Sequence, residues 1–346
     1  MQFNIVNIIL ATFIFGQGDD YTIFITEGLL QEYRTGKKTL ASYKNSVALS
    51  GIIMFIGIGA LILAKHPALR SLAMVAMVGM GVVVLMACYL PPVIFRWMTE
   101  KDGQRREVPL TLKRIVYSLF SILFFIIGTT FFLIPFAWIY FHVGPVTKQK
   151  RLRYHRLISR ISRFTIHHVP GVRVGVTNDN DEDFSRPSVI VANHQSHLDL
   201  MCILMLSPKI VLLTNDWVWN NWFYRKFIKY AEYYPISDGF DRNAERIRDL
   251  ARRGYSVMIF PEGTRSNDLR VHRFHQGAFK LAQQLEIDVL PVYLHGVGWV
   301  LPKYDFMLRQ GNIEIEVGKR ISYDVFKDMS SLALAQQVRS KFVEKI

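Results

Sequence analysis

The sequence predicts an α-helical transmembrane N-terminal region followed by an α/β domain, a mixed sheet with helices on both faces. Three observations predict it. Four apolar stretches, each long enough to cross a bilayer as a helix of about 20 residues, lie before His142. From Val172 onward short apolar runs alternate with amphipathic segments, the pattern of strands and helices in turn. The 346 residues are 50% hydrophobic and 13% aromatic, high for a chain that meets only water.

The first stretch, Phe3 to Leu30, is interrupted by Gly16-Gln17-Gly18-Asp19-Asp20. It has no basic start and no small-residue cleavage pattern, so it is not read as a signal peptide. The second is Ser46 to Ala64. The third, Leu72 to Phe95, carries Gly79 and Gly81 and meets Pro91-Pro92. The fourth is Ile115 to Phe141. Basic residues cluster after the first stretch (Arg34, Lys37, Lys38, Lys44) and after the third (Arg96, Lys101, Arg105, Arg106, Lys113). The positive-inside rule places both links in the cytoplasm. A full fourth crossing would send the dense cluster Lys148, Lys150, Arg151, Arg153, Arg156, Arg160 and Arg163 to the other side. A re-entrant hairpin turning near Gly128-Thr129-Thr130 or Pro135 removes that conflict and is the expectation for this stretch; a true crossing is the alternative.

Thr147 to Val169 repeats apolar residues at helical spacing (Tyr154, Leu157, Ile158, Ile161, Phe164) among arginines. That pattern suits a helix on an anionic membrane surface, or one packed on its own domain. A net charge of +14 agrees with an anionic partner. Asn215 to Pro235 mixes Trp217, Trp219, Trp222, Phe223, Tyr224 and Phe227 with Arg225, Lys226 and Lys229. Interfacial anchoring and core packing both fit. No nucleic-acid fold signature accompanies these aromatics, so nucleic acid is not an expected partner. Cys88 and Cys202 form neither a disulfide framework nor a metal spacing.

In the second half, Val189–Val191, Ile210–Leu213, Tyr255–Phe260, Ile287–Leu294 and Ile313–Val317 read as strands. Leu198–Leu206, Asp241–Arg253 and His275–Leu285 read as helices, the middle one ending at Gly254. Chemistry-bearing residues stand at strand ends. In VIVANHQSHLD an apolar run delivers Asn193 and His194, and Asp199 follows five positions after the histidine. A carboxylate folded back on an imidazole makes a general base near neutral pH; a surface histidine in a turn is the plain alternative. In FPEGTRS, Gly263 permits close backbone approach, Arg265 offers a planar fork for phosphate oxygens, and Glu262 orients the loop or the arginine. In VLPVYLHG, Pro291 implies an edge or a bend that could form an apolar wall, or a plain core strand.

NHQSHLD, FPEGTRS and VLPV in this order, with HQGAFKLA between the last two, resemble the phospholipid/glycerol acyltransferase family, which includes the bacterial lysophosphatidic acid acyltransferases. The resemblance covers about Lys150 to Ser322. It implies an O-acyltransferase in which His194 is the base and Asp199 holds it. The acceptor hydroxyl would attack an acyl-CoA or acyl carrier protein thioester directly. Asn193, Glu262, Gly263, Thr264, Arg265 and Pro291 would serve substrate binding. The donor is a co-substrate; no resident cofactor and no metal are implied. His197 is a rival base without the family spacing, and Ser196 lacks the context of a nucleophile. One departure concerns the acceptor. Where the family carries a further phosphate-binding arginine, this chain reads AEYYPISDGFDR, with Ser237 or Asp238 in its place and Arg242 a few residues late. Either Arg242 substitutes, or the acceptor is a non-phosphorylated lipid such as an amino-acid lipid.

GQGDDYTIFITEGLLQEY and the two following stretches resemble the C-terminal helices of resistance-nodulation-division exporters, closest to the lipid-exporting branch named for the large mycobacterial membrane proteins. Asp20 and Tyr21 match that family's proton-relay pair; solvation near an interface is the alternative. The resemblance covers about Phe3 to Trp97 and implies a missing exporter portion as a possible partner. The expected organisation is therefore 1–110 exporter-like helices, 111–146 a membrane anchor, and 147–346 the acyltransferase domain. The expected place is the inner (cytoplasmic) membrane, multi-pass, with the enzyme domain facing the cytoplasm.

Overall fold

The computed structural model describes residues 5–214, 219–220, 225–235 and 239–346. They fall into two compact units, Met1–Thr111 and Leu112–Ile346.

The first unit is three helices, α1 (Ile5–Thr35), α2 (Leu40–Gly59, continued by a 3-10 turn to Leu63) and α3 (Pro67–Thr99), and a small hairpin of β1 (Glu100–Lys101) with β2 (Gln104–Arg105). Glycines let the helices approach: a Cβ on Gly28 would meet the Tyr43 ring at 2.7 Å, and one on Gly51 would meet Val84 at 2.9 Å. Glu32 holds the start of α2, its carboxylate accepting from Thr39 and Leu40 N–H. α1 runs unbroken through Gly16–Asp20, and α3 runs through Pro91-Pro92 to Thr99. A proline withdraws one N–H from the ladder, and apolar packing around Met80, Ala87 and Phe95 keeps the helix together.

The second unit opens with α4, Leu112–His142, then α5 (Lys148–His167), β3 (Val172–Thr177), β4 (Ser188–Ala192), α6 (Asp199–Leu204), β5 (Ile210–Thr214), α7 (Arg225–Tyr230), β6 (Tyr234–Pro235), α8 (Gly239–Arg252), β7 (Ser256–Ile259), α9 (Gly277–Leu285), β8 (Asp288–His295), α10 (Val297–Val300), β9 (Gly311–Val317), α11 (Tyr323–Phe326) and α12 (Ser331–Lys345). The sheet order is β3-β9-β8-β4-β7-β5-β6, parallel throughout except for the antiparallel β8–β9 pair. It is the mixed sheet expected, with helices on both faces: α8, α9 and α12 pack on β7, β4 and β8, while α5 and α6 pack on each other and on β3 and β5. β4 and β7 are buried at every residue, which is why both read as continuous apolar runs.

The re-entrant hairpin does not form. α4 is one continuous helix whose middle, Gly128–Leu133, is a π turn in which Ile134 N–H reaches Thr129 O. The wide turn takes up both the extra residue and the N–H that Pro135 lacks, so neither reverses the chain. Both ends of this helix are held by the same unit. At the start, Arg114 donates to Leu308 O (2.8 Å), Met307 O (2.7 Å) and Asp305 (3.1 Å), and Ser118 Oγ accepts from Leu308 N–H. Midway, Phe124 meets Phe164 of α5 at 6.5 Å; at the end, Phe141 stacks on Tyr230 at 4.4 Å and meets Tyr154 edge-on at 5.0 Å. At 1.5 Å per residue α4 is about 46 Å long, and it lies along its own unit. Phe120, Phe131 and Phe132 remain exposed. Among the described residues, Leu40–Leu63, Pro67–Thr99 and Leu112–His142 are long and apolar enough to cross a membrane; α1, with Asp19 and Asp20, is not among them.

The apolar stripe of α5 divides. Tyr154 and Ile158 are buried in the core of the unit, while Ile161 and Phe164 stay exposed beside the arginines. His155 is buried there too, its pKa pushed down to about 3 by burial and by the charges of Arg253 and Arg151, so it stays neutral. Replacing Arg114 by alanine strands the two carbonyls it caps and leaves Asp305 only the longer ionic contact to Arg309 at 3.8 Å. We expect a loss of about 2 kcal/mol, a fall of about 4–8 °C in the unfolding midpoint of the detergent-solubilised chain. An unchanged midpoint would show that Ser118 and the aromatic contacts hold α4 without Arg114.

Candidate active site

Three parallel strands, β8, β4 and β7, end side by side, and the residues of interest follow their carboxyl ends, where ligands bind in α/β sheets. The register Val191↔Ile259 brings His194, three residues past Val191, next to Phe260, one past Ile259. The rings stack at 3.9 Å with an 11° tilt.

Asp199 is the first residue of α6 and is fully buried. Its Oδ2 accepts three hydrogen bonds: from His194 Nδ1 (2.8 Å), Gln195 N–H (2.7 Å) and Ser196 N–H (2.8 Å). The H-x4-D loop is thus wound around one carboxylate oxygen. With Nδ1–H given to Asp199, the imidazole presents Nε2 as an acceptor. The ring is held on one face by Phe260 and on one edge by Asp199, in the arrangement of a preorganised base.

Glu262 is buried, and each of its oxygens takes one backbone amide: Oε1 from His194 N–H (2.9 Å) and Oε2 from His272 N–H (3.0 Å). Burial pushes its carboxyl above the usual carboxylate range, against the lowering effect of those two amides. Ser266 N–H donates to His194 O (2.7 Å), so the FPEGTRS loop holds the histidine's backbone from both sides. Arg339 of α12 in turn donates to Val271 O and His272 O, fixing the far side of the same loop. Gly263 stands at φ +71°, a left-handed turn, with the His275 ring 3.4 Å from where a Cβ would be. Thr264 and Arg265 face outward next to Lys303, whose Nζ lies 2.7 Å from Arg265 O and 3.3 Å from Thr264 Oγ1.

The other expected substrate-binding residues have different partners. Asn193 is buried and extends the β4–β8 ladder, its side chain exchanging two hydrogen bonds of 2.9 Å with the Leu294 backbone. Pro291 is buried in the interior strand β8, opposite Val191, neither on an edge nor lining an open wall. It is tolerated there because the β8–β9 ladder breaks beside it: Val292 pairs Val317, Val289 pairs Ile321, and Gly318 N–H reaches Pro291 O. Ser196 is fully buried with its hydroxyl accepting from Leu198 N–H. His197 reaches solvent and makes no contact with Asp199 of the kind His194 makes; partial desolvation by its neighbours, then the charges of Arg265 and His194, lower its pKa. Ser237 and Asp238 lie outside the described residues, as do Trp217, Trp222, Phe223, Tyr224 and the side chains of Lys226, Phe227 and Arg242. Trp219 sits under Lys229 at 5.2 Å. Among the described residues no group of three or more His, Cys, Asp or Glu could hold a metal ion.

In the first unit, Tyr21 is buried with its hydroxyl 3.0 Å from Ser50 Oγ, whereas Asp19 and Asp20 are exposed. Neighbours on a helix diverge by about 100°, so Asp20 and Tyr21 face different ways.

Reading the motifs alone leaves out Phe260 as a stacking partner, Lys303, and Arg339. Phe260 lay inside a motif, but its role depends on strand register. Lys303 and Arg339 lie outside any motif and reach the site only through the fold.

Residues 173–295 match the family model described as Acyltransferase, and residues 3–114 match the MMPL family. The chain is 27% identical over 202 residues to a chloroplastic 1-acyl-sn-glycerol-3-phosphate acyltransferase of Arabidopsis thaliana, covering 57% of this chain and 55% of that protein. It is 31% identical over 168 residues to a 1-acyl-sn-glycerol-3-phosphate acyltransferase of Chlamydomonas reinhardtii, covering 45% and 48%. To the human 1-acyl-sn-glycerol-3-phosphate acyltransferase alpha it is 25% identical over 190 residues, covering 53% and 66%. The chain thus spans about half to two thirds of the length of these relatives. The crystal structure of the 1-acyl-sn-glycerophosphate acyltransferase PlsC from Thermotoga maritima superposes with a TM-score of 0.58 at 19% identity, over 68% of this chain and 97% of that one, a likeness of fold. The chain carries an acyltransferase-family domain behind an N-terminal segment that matches the MMPL family model.

Proposed function

We propose that this chain is a membrane-bound O-acyltransferase that moves a fatty acyl group from acyl-CoA or acyl carrier protein to the hydroxyl of a lysolipid, with 1-acylglycerol 3-phosphate as its acceptor. The observation that carries the reading is the His194–Asp199 pair at 2.8 Å, ring-stacked on Phe260, at the carboxyl edge of the sheet. In the proposed reaction Nε2 of His194 takes the proton of the acceptor hydroxyl as its oxygen attacks the thioester carbonyl. Asp199 stabilises the imidazolium. The tetrahedral adduct collapses, the C–S bond breaks, and the imidazolium returns its proton to the leaving thiolate. Ser196, buried and hydrogen-bonded to the loop, is not poised to form an acyl-enzyme.

The acceptor assignment draws on what the relatives are named for and on Arg265 beside the base. It predicts that Arg265→Ala raises KM for 1-acylglycerol 3-phosphate about tenfold or more while changing KM for monoacylglycerol little, since a charge-assisted phosphate contact contributes roughly 1.5–3 kcal/mol. The assay is labelled-acyl transfer by the purified full chain to each acceptor. Absence of transfer to any lysolipid would overturn the reading. For localisation, the exposed aromatics of α4 beside the arginines of α5 support seating on an anionic membrane surface, with the domain on the cytoplasmic side.

A second reading is favoured by the MMPL match over residues 3–114: the helices would belong to a proton-driven lipid exporter, with Asp20 and Tyr21 in its relay and the acyltransferase acting on a non-phosphorylated lipid. Lipid export unaffected by Asp20→Asn, with the rest of an exporter present, would sink it.

A further inference from the structure

Exposed aromatic side chains are unevenly placed on the second unit. Among its described residues, every one lies on α4, on α5, or at Tyr304 and Phe306. The irregular loop 301–310 after α10 therefore presents two large rings to solvent, Tyr304 at 66% and Phe306 at 72% exposure. Their base is rigid. Asp305, between them, turns inward to Arg114 (3.1 Å) and accepts from Met307 N–H (2.9 Å). Asp305 N–H reaches Pro302 O, Arg309 N–H reaches Val300 O (2.8 Å), and Leu308 is buried. Exposed apolar groups on a fixed loop mark a contact surface.

The neighbouring helix says what covers them. The loop is bonded to the first two turns of α4: Arg114 donates to Met307 O (2.7 Å) and Leu308 O (2.8 Å), and Leu308 N–H donates to Ser118 Oγ (2.9 Å). α4 is long and apolar enough to cross a membrane. Its Leu112, Val116, Leu119 and Phe120 are exposed beside the bonded turns, so the two rings continue an apolar surface that already calls for lipid. Lys113 is exposed and reaches over the Tyr117 ring at 5.5 Å. A lysine and a tyrosine at the start of an apolar helix are the composition of the headgroup layer, where aromatic rings gather and lysine stems stretch toward water. Tyr304 joins that layer, with Lys303 Nζ 5.3 Å from its ring centre.

We propose that the loop 301–310 is an interfacial membrane element: Tyr304 and Phe306 enter the lipid surface at the level of the first turns of α4, where Lys113 meets the headgroups. This rests on the membrane seating proposed for α4 and α5, and adds to it a loop more than a hundred residues further along the chain. Through Lys303, which donates to Arg265 O, the same loop is tied to the segment after β7. The lipid surface is thereby placed against the edge of the active site.

The test is fluorescence quenching on the full chain reconstituted into vesicles of phosphatidylcholine and phosphatidylglycerol. Cys88→Ser removes the half-buried thiol, and the fully buried Cys202 is left in place. In that background a bimane is attached at Phe306→Cys, at Tyr304→Cys, at Phe120→Cys on α4, or at Val325→Cys on α11, an exposed apolar position distant from α4 in sequence. Quenchers are a nitroxide on the lipid acyl chain and iodide in the water on both sides. The proposal expects the nitroxide to quench positions 304, 306 and 120 several-fold more than 325, and iodide to do the reverse. Quenching at 120 with 304 and 306 behaving like 325 overturns the proposal and leaves the seating of α4 standing. Protection of 304 and 306 from both quenchers also overturns it, in favour of a protein partner or a second copy. Equal nitroxide quenching at 325 overturns it as well, because the loop would then be no closer to lipid than the rest of the unit. Position 120 open to iodide and untouched by nitroxide refutes the membrane seating itself. No turnover is needed, so these outcomes are independent of the acyl-transfer reading.

Discussion

Replacing His194 by alanine is expected to lower kcat for acyl transfer by about 10²–10⁴-fold, the range for losing a positioned general base, with little change in the unfolding midpoint. The side chain makes one hydrogen bond and one ring stack, and its backbone contacts to Glu262 and Ser266 survive the substitution. Asp199→Ala should cost a similar factor for another reason. It frees the imidazole and also removes the acceptor of the Gln195 and Ser196 amides, so its loss of activity comes with a loss of stability of roughly 2–4 kcal/mol. The contrast between the two variants separates chemistry from architecture. If Asp199→Ala destabilised the chain while transferring acyl groups at the wild-type rate, the imidazole would not need its carboxylate.

Glu262 carries the second large effect. Its two oxygens tie the base loop to the segment before α9, and nothing else among the described residues accepts those two amides. Glu262→Ala should destabilise the domain by about 3 kcal/mol and reduce kcat by about 10–100-fold, since the His194 backbone loses its tether. Glutamine restores one acceptor but turns an NH2 toward the second amide, so Glu262→Gln should fall between. The pH dependence has a defined sign. A carboxyl whose pKa is raised in the folded state binds its proton more tightly there than in the unfolded chain, so its contribution is full below the unfolded value and is lost as pH rises through the folded one. Stability of the wild type should therefore drop across a window just above the ordinary glutamate range, and the Gln variant should lack that drop. Denaturant unfolding at a series of pH values measures both. A pH profile identical in the two proteins would show that the buried carboxyl does not titrate there.

The parts of this molecule that sequence reveals are those whose partners lie within a few residues or within one strand. The His194–Asp199 pair is legible because five residues suffice to wrap a carboxylate around a ring, and β4 and β7 are legible because strands buried on both faces are apolar throughout. The fourth apolar stretch misleads because charge counts assume that helix ends are free to choose a side. In the fold, Arg114 at one end and Phe141 at the other are both bound to the same unit, so basic residues after the helix need no reversal within it. Prolines mislead for a related reason. Pro91, Pro92 and Pro135 each withdraw an N–H, but helix packing or a π turn absorbs the gap, and Pro291 sits where the neighbouring ladder already breaks. Lys303 was hidden because an irregular loop has no period, and only the tertiary fold brings it to Arg265.

The most direct test of the account is a single-turnover experiment with the purified full chain and a stoichiometric labelled fatty acyl thioester. With 1-acylglycerol 3-phosphate present, the label should pass to the lipid in the wild type and remain on the thioester in His194→Ala; without acceptor it should not appear on the protein. Equal transfer by the His194 variant, or label trapped on the chain when acceptor is withheld, would contradict direct transfer through a histidine base.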